Sequence, residues 1–175
     1  MALPLYEAVR NDMKTGDMIA FHGNAIISKL IRLRTVPSNI PSDSPLSVNH
    51  VSVVLRLKEY EGLGRRVFMN EALNQTVLNL VSKRLENYDG YAWWYPLKRS
   101  WDDQRQAIGE RALQYIGVEY DYKSIAEQIF GSVSVDVKKL FCSEYVYFSY
   151  GFSGKAPNPY ELCTKDYFKE PIRIK

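Results

Sequence analysis

The chain is poor in residues that do chemistry near neutral pH. It has two histidines and two cysteines in 175 residues. Two of each, without paired spacing, do not make a zinc-type ligand set, so neither a metal nor a cofactor is expected. A single cysteine pair, Cys142 and Cys163, in an unexported domain reads as two free thiols rather than a disulfide. Long apolar runs are missing too: none approaches the roughly 18 residues of a bilayer-spanning helix. The first residues, Met1-Ala2-Leu3-Pro4-Leu5-Tyr6-Glu7, lack the charged and then apolar pattern of an export signal, which makes a cytoplasmic protein the expectation. Charge of one sign is not in large excess, with a net value of +3. The basic pairs Arg65-Arg66, Lys83-Arg84, Lys98-Arg99 and Lys138-Lys139 are scattered among acids. They read as a solvated surface, and no nucleic acid partner is expected.

What is present is ordinary globular material. Hydrophobic residues make up 46% and charged residues 25%, so a packed core is expected rather than disorder. The length suits one domain over residues 1–175. Residues 3–13 have helical apolar spacing, stopped by Gly16, and residues 17–21 read as a strand turned by Gly23-Asn24, with His22 at a loop edge. Over residues 25–33, Ile26, Ile27, Leu30, Ile31 and Leu33 suit the inner face of a helix with Lys29, Arg32 and Arg34 outside. That cationic face is either simply solvated or able to meet an acidic substrate or lipid headgroups.

Three prolines, Pro37, Pro41 and Pro45, exclude regular structure from residues 35–47. The stretch 35–49 therefore runs as a loop into His50, either as a lid or as a passive connection. Strands follow at 50–57, 66–72, 76–81 and 91–97, the first two antiparallel across a turn with Gly62 and Gly64. Alternation puts Tyr91, Trp93 and Tyr95 on one face of the last and Ala92 and Trp94 on the other, an aromatic packing pattern. A helix is expected over 101–116, ended by Gly117, another over 124–130, and a connector over 132–140. A helix opening at Cys142, a short one near 157–162 and an edge strand within 169–175 complete an α+β fold.

Chemistry concentrates at Phe141-Cys142-Ser143-Glu144-Tyr145-Val146-Tyr147-Phe148. A thiol reacts as thiolate, and the positive end of a helix favours that form. An imidazole must hold the proton, and His50, at the mouth of a core strand, is better placed than His22. Counting across the turn puts Glu71 roughly level with His50, where a carboxylate would orient the ring. Asp121 and Asp136 are the alternatives for that carboxylate. Cys163 reads as a buried or incidental thiol.

The ordered set of a Gly-Asp strand, a proline-rich loop, Asn49-His50, Glu71-Ala72, Gly117-Val118-Glu119-Tyr120-Asp121-Tyr122 and Phe141-Cys142-Ser143-Glu144 resembles a known family. It is similar to the circularly permuted NlpC-type papain-like cysteine hydrolases, in particular the YiiX-like group with its poxvirus member, and more distantly to the lecithin:retinol acyltransferase proteins. The resemblance covers nearly the whole chain. It implies a permuted papain-like fold: an antiparallel sheet packed by helices, with the nucleophile at a helix N-terminus. By this resemblance Cys142 is the nucleophile, His50 the base and Glu71 the orienting residue, while Tyr120 and Asp121 match a structural pair. The lecithin:retinol branch has a histidine as third residue and an asparagine-cysteine lead-in, so Glu71 and Phe141-Cys142 favour the YiiX-like group.

The implied activity is hydrolysis of an amide or ester carbonyl through a thioester, as in a peptidase or amidase. The alternatives are a lipid-directed acyltransferase or phospholipase of related fold, and a binding protein with an idle site. The implied partners are a peptide, amide or lipid substrate and an anionic membrane surface.

Overall fold

The computed structural model of the protein describes residues 3–58, 62–72, 75–118 and 142–175. The helix expected over 124–130, the connector over 132–140, and Tyr120, Asp121 and Asp136 lie outside those residues. Among the described residues, six antiparallel strands form one sheet in the order β4-β3-β2-β1-β5-β6. The strands are β1 (Met18–Gly23), β2 (His50–Leu55), β3 (Phe68–Ala72), β4 (Thr76–Leu80), β5 (Gly90–Tyr95) and β6 (Ile172–Arg173). β1 is central and pairs with β2 through Phe21 opposite His50, and with β5 through Phe21 opposite Ala92.

Alternation along these strands feeds two cores. Met18, Ala20, Val51, Val53, Trp93 and Tyr95 belong to one, together with Ile108 and Ala112 of α4 (Arg105–Gln114), Tyr145 and Val146 of α5 (Cys142–Ser149), and Leu162 of α6 (Pro159–Cys163). Ile19, Phe21, Val54, Met69, Ala92 and Trp94 belong to the other, with Tyr6 of α1 (Pro4–Val9) and Val81 and Leu85 of α3 (Val81–Glu86). The sheet is thus covered on both sides. Local chemistry fixes several ends: α1 and α6 each carry proline in their first turn, and Asn158 and Glu161 form a reciprocal capping box on α6.

Asp17, just ahead of β1, ties three elements to the sheet centre. Its buried carboxylate accepts from Trp94 Nε1 (2.9 Å), the Leu97 backbone N–H (3.0 Å), the Lys14 backbone N–H (2.9 Å) and an Arg105 guanidinium nitrogen (2.9 Å).

The structure corrects four expectations. His22 is not at a loop edge: β1 continues to Gly23, and the buried His22 pairs with Tyr91. The stretch after β4 turns into α3, whose Val81 and Leu85 are one helical turn apart and both buried, so Arg84 is not a freely solvated charge. The helix expected over 101–116 divides into a 3₁₀ turn (Arg99–Gln104) and α4.

The fourth correction concerns α2 (Ile26–Thr35): Lys29 and Arg34 are exposed as expected, but part of the expected inner face lies outside and Arg32 lies inside. Ile26, Leu30 and Leu33 are exposed, whereas Arg32 turns inward to donate to Gly23 O (2.5 Å) and Asn49 Oδ1 (3.2 Å). Arg32 takes the inner position because the Gly23 carbonyl and the Asn49 side-chain oxygen lie there, and a leucine could donate to neither.

Candidate functional site

The site is assembled at the end of β2 where the two layers meet. His50 is the first residue of that strand, directly opposite Phe21, and their ring centroids lie 5.7 Å apart. Continuing the β2–β3 register from Val53 opposite Asn70 puts Glu71 opposite Ser52. Glu71 is therefore a diagonal neighbour of His50 on the same face, rather than level with it. Its Oε2 lies 2.9 Å from His50 Nε2. From the other layer, α5 packs on β2 and β3, and Cys142, its first residue, meets the His50 ring in a side-chain hydrogen bond. The three side chains converge, all buried.

Two residues that the sequence did not single out complete the cluster. Arg84 Nε donates to Glu71 Oε1 (2.9 Å) and Oε2 (3.2 Å), and Asn79 Nδ2 donates to Oε1 (2.9 Å). The Arg84 guanidinium also stacks over the rings of Phe21 and Tyr88, at 5.5 and 4.8 Å from their centroids. Asn79 and Glu71 lie close because β4 pairs with β3, an inference that alternation on a short strand could have suggested. Arg84 had no such signal, since its helix was not visible as a helix.

The electrostatics follow from these contacts. Burial pushes the Glu71 carboxyl up, but the His50 ring, Arg84 and Asn79 outweigh it and hold the group below the usual carboxylate range. An ionised carboxylate only accepts, so His50 Nε2 carries a proton toward Glu71 and Nδ1 is left for the sulfur of Cys142. Burial alone would lower the imidazole pKa. The charge and hydrogen bond of Cys142, followed by those of Glu71, reverse this and raise it to about 9.

The remaining candidates stay apart from this cluster. Cys163, at the end of α6, is a free buried thiol that burial pushes up to about 12, against a hydrogen bond with Tyr95 that lowers it and the charge of Cys142 that raises it. His22 lies with Nδ1 2.6 Å from Ser47 O, and its pKa is lowered by burial. Together with Tyr95, whose hydroxyl donates to Pro45 O (2.7 Å), and Asn49, whose Oδ1 accepts from Gly23 N (2.7 Å), it fastens the end of the proline-rich loop to the sheet. That end of the loop is a fixed wall beside His50.

No protein-family model matches the chain, and no curated protein matches it. Among the described residues no helix is long and apolar enough to cross a membrane. The architecture is that of an α+β protein with a YiiX-like fold. A solved structure with that likeness is the metalloprotein yiiX from Escherichia coli O157:H7, to which the chain is 19% identical with a TM-score of 0.59. The likeness covers 78% of this chain and 64% of that one.

Proposed function

We propose that the protein is a cysteine hydrolase acting on an amide or ester carbonyl, with Cys142 as nucleophile, His50 as general base and Glu71 orienting the ring. The observation that carries this reading is the continuous contact from Glu71 through His50 to Cys142, with the carboxylate on Nε2 and the thiol left to Nδ1. Histidine and carboxylate precede the cysteine in the chain, an order that fits a circularly permuted papain-like arrangement.

In this mechanism His50 Nδ1 takes the thiol proton, and the sulfur's electron pair attacks the carbonyl carbon. The carbonyl π pair moves to oxygen, and the backbone N–H of Cys142 at the start of α5 is the natural donor to that oxyanion. Collapse expels an amine or alcohol, which receives the proton from the imidazolium, and leaves a thioester on Cys142. Water then attacks with His50 as base, the C–S bond breaks, and a carboxylic acid and the free thiol are formed. Glu71, kept ionised by Arg84 and Asn79, stabilises the imidazolium in both halves.

The yiiX protein is described as a metalloprotein. Among the described residues no three His, Cys, Asp or Glu side chains gather as metal ligands, and both Glu71 oxygens are already taken by His50, Arg84 and Asn79. The donor set among the described residues does not fit a metal.

Alkylation with iodoacetamide at neutral pH, followed by mapping of the adducts, tests the proposal. Cys142 should be modified about a hundredfold faster than Cys163, since the imidazole beside its sulfur can take the proton, whereas burial pushes the Cys163 thiol up to about 12. His50→Ala should abolish the difference. Equal, sluggish labelling of both cysteines in the unaltered protein would remove the reading.

A further inference from the structure

Helix α2 presents a feature that the hydrolase reading does not use. Ile26 is 78% exposed and Leu33 82%, with Leu30 at 45%, on a single helix of ten residues. At about 100° per residue, Leu33, Ile26 and Leu30 fall within an arc of about 60°, and Lys29 and Arg34 lie about 40° beyond its two edges. Both cations are exposed, and α2 carries no acidic residue. The opposite side of the helix is bound to the protein: Arg32 reaches Gly23 O and Asn49 Oδ1, and Asn49 Nδ2 donates to Ser28 Oγ (3.0 Å). The apolar stripe is therefore held outward by polar bonds on its back.

We propose that this face of α2 docks the protein on an anionic lipid surface. Ile26, Leu30 and Leu33 enter the boundary between headgroups and acyl chains, while Lys29 and Arg34 lie along the two edges of the stripe at the level of anionic headgroups. A ten-residue helix is about 15 Å long, too short to span a bilayer and suited to lying in its plane. Charge complementarity selects this occupant over a second copy of the chain. Two such faces brought together would oppose four cations without a single acid from either helix. Because Asn49, the residue before His50, is bonded to Arg32 and Ser28 of α2, the docked face is tied to the strand that carries the candidate base. The inference is independent of the hydrolase reading, as it uses no residue of that cluster.

Flotation of the full chain with phosphatidylcholine vesicles and with phosphatidylcholine–phosphatidylserine vesicles tests it. The unaltered protein should partition onto the anionic vesicles roughly thirtyfold more strongly, the effect expected of two cations at such a surface. Lys29→Gln with Arg34→Gln should bring binding down to the level of neutral vesicles. Ile26→Ser with Leu33→Ser should weaken binding to the anionic vesicles about a hundredfold. All four side chains are in solvent, so thermal unfolding of both double variants should match that of the parent. Absence of the parent from anionic vesicles, or serine variants that bind as it does, would overturn the proposal. A dimer in solution that the serine variants dissolve, without vesicle binding, would overturn it in favour of a second copy.

Discussion

At the scale of single residues, the site depends on charges that compensate one another out of water. Cys142 makes the largest contributions raising the His50 pKa, and Glu71 the next. Cys142→Ala removes the former while leaving the ring buried, so the imidazole pKa should fall clearly below about 9. Titration of the His50 ring proton by NMR reads this directly, and an unchanged midpoint would mean that the sulfur and ring do not interact. Arg84 is equally testable. Among the described residues it is the permanent cation on Glu71, and its side chain is 24% exposed against none of Glu71. Arg84→Gln leaves a buried carboxylate short of a partner, and denaturant unfolding at neutral pH should show a loss of about 2 kcal/mol. The types of residue at the site were legible in the sequence because so few candidates existed: with two histidines and two cysteines, choosing His50 and Cys142 required only a strand mouth and a helix start. Arg84 was not legible, since a basic pair in sequence looks the same whether it faces water or a buried acid.

At the scale of elements, patterns that two flanking cores impose were readable, and those that polar acceptors impose were not. Strand β5 separates Trp93 and Tyr95 from Ala92 and Trp94 as alternation requires, because apolar layers cover both faces. Helix α2 departs from the same reasoning at Arg32, which turns inward because the Gly23 carbonyl and Asn49 sit behind it, while Lys29 and Arg34 lie outside as expected. Asp17 was visible as part of a Gly-Asp start to β1, but its role was hidden by distance in the chain, Trp94 and Arg105 being 77 and 88 residues away. That role has an energetic consequence. Asp17→Asn keeps the shape but loses the charge that Arg105 faces and turns one acceptor oxygen into a donor opposite existing donors. The joint between β1, β5 and α4 should weaken by about 3 kcal/mol, measured as a lower urea midpoint with unchanged denaturant slope. A parent-like midpoint would mean that the four bonds to this carboxylate add little to what the two cores supply.

At the scale of the whole molecule, the candidate site is also part of what holds the fold together, and acid should expose this. Three carboxylates among the described residues are held below their usual range. Glu86 and Asp102 owe this first to hydrogen bonds from Lys83 and Arg105, lie at the surface with partly exposed side chains, and contribute little once salt screens them. Glu71 is different because it is buried and its partners are fixed by β2, β4 and α3. A depressed folded-state pKa means that the unfolded chain binds the proton more readily. The stability Glu71 supplies is therefore fully present above its ordinary value of 4.5 and is lost as pH falls through the lower folded value. Urea unfolding from neutral pH down to about pH 3 should show stability falling below pH 4.5. Glu71→Gln should be less stable at neutral pH, because Arg84 and His50 then lack their counter-charge, and should show a flatter acid limb because the titrating group is gone. An acid limb as steep in the Gln variant as in the parent would place the acid sensitivity elsewhere and would separate the catalytic proposal from the stability of the fold that carries it.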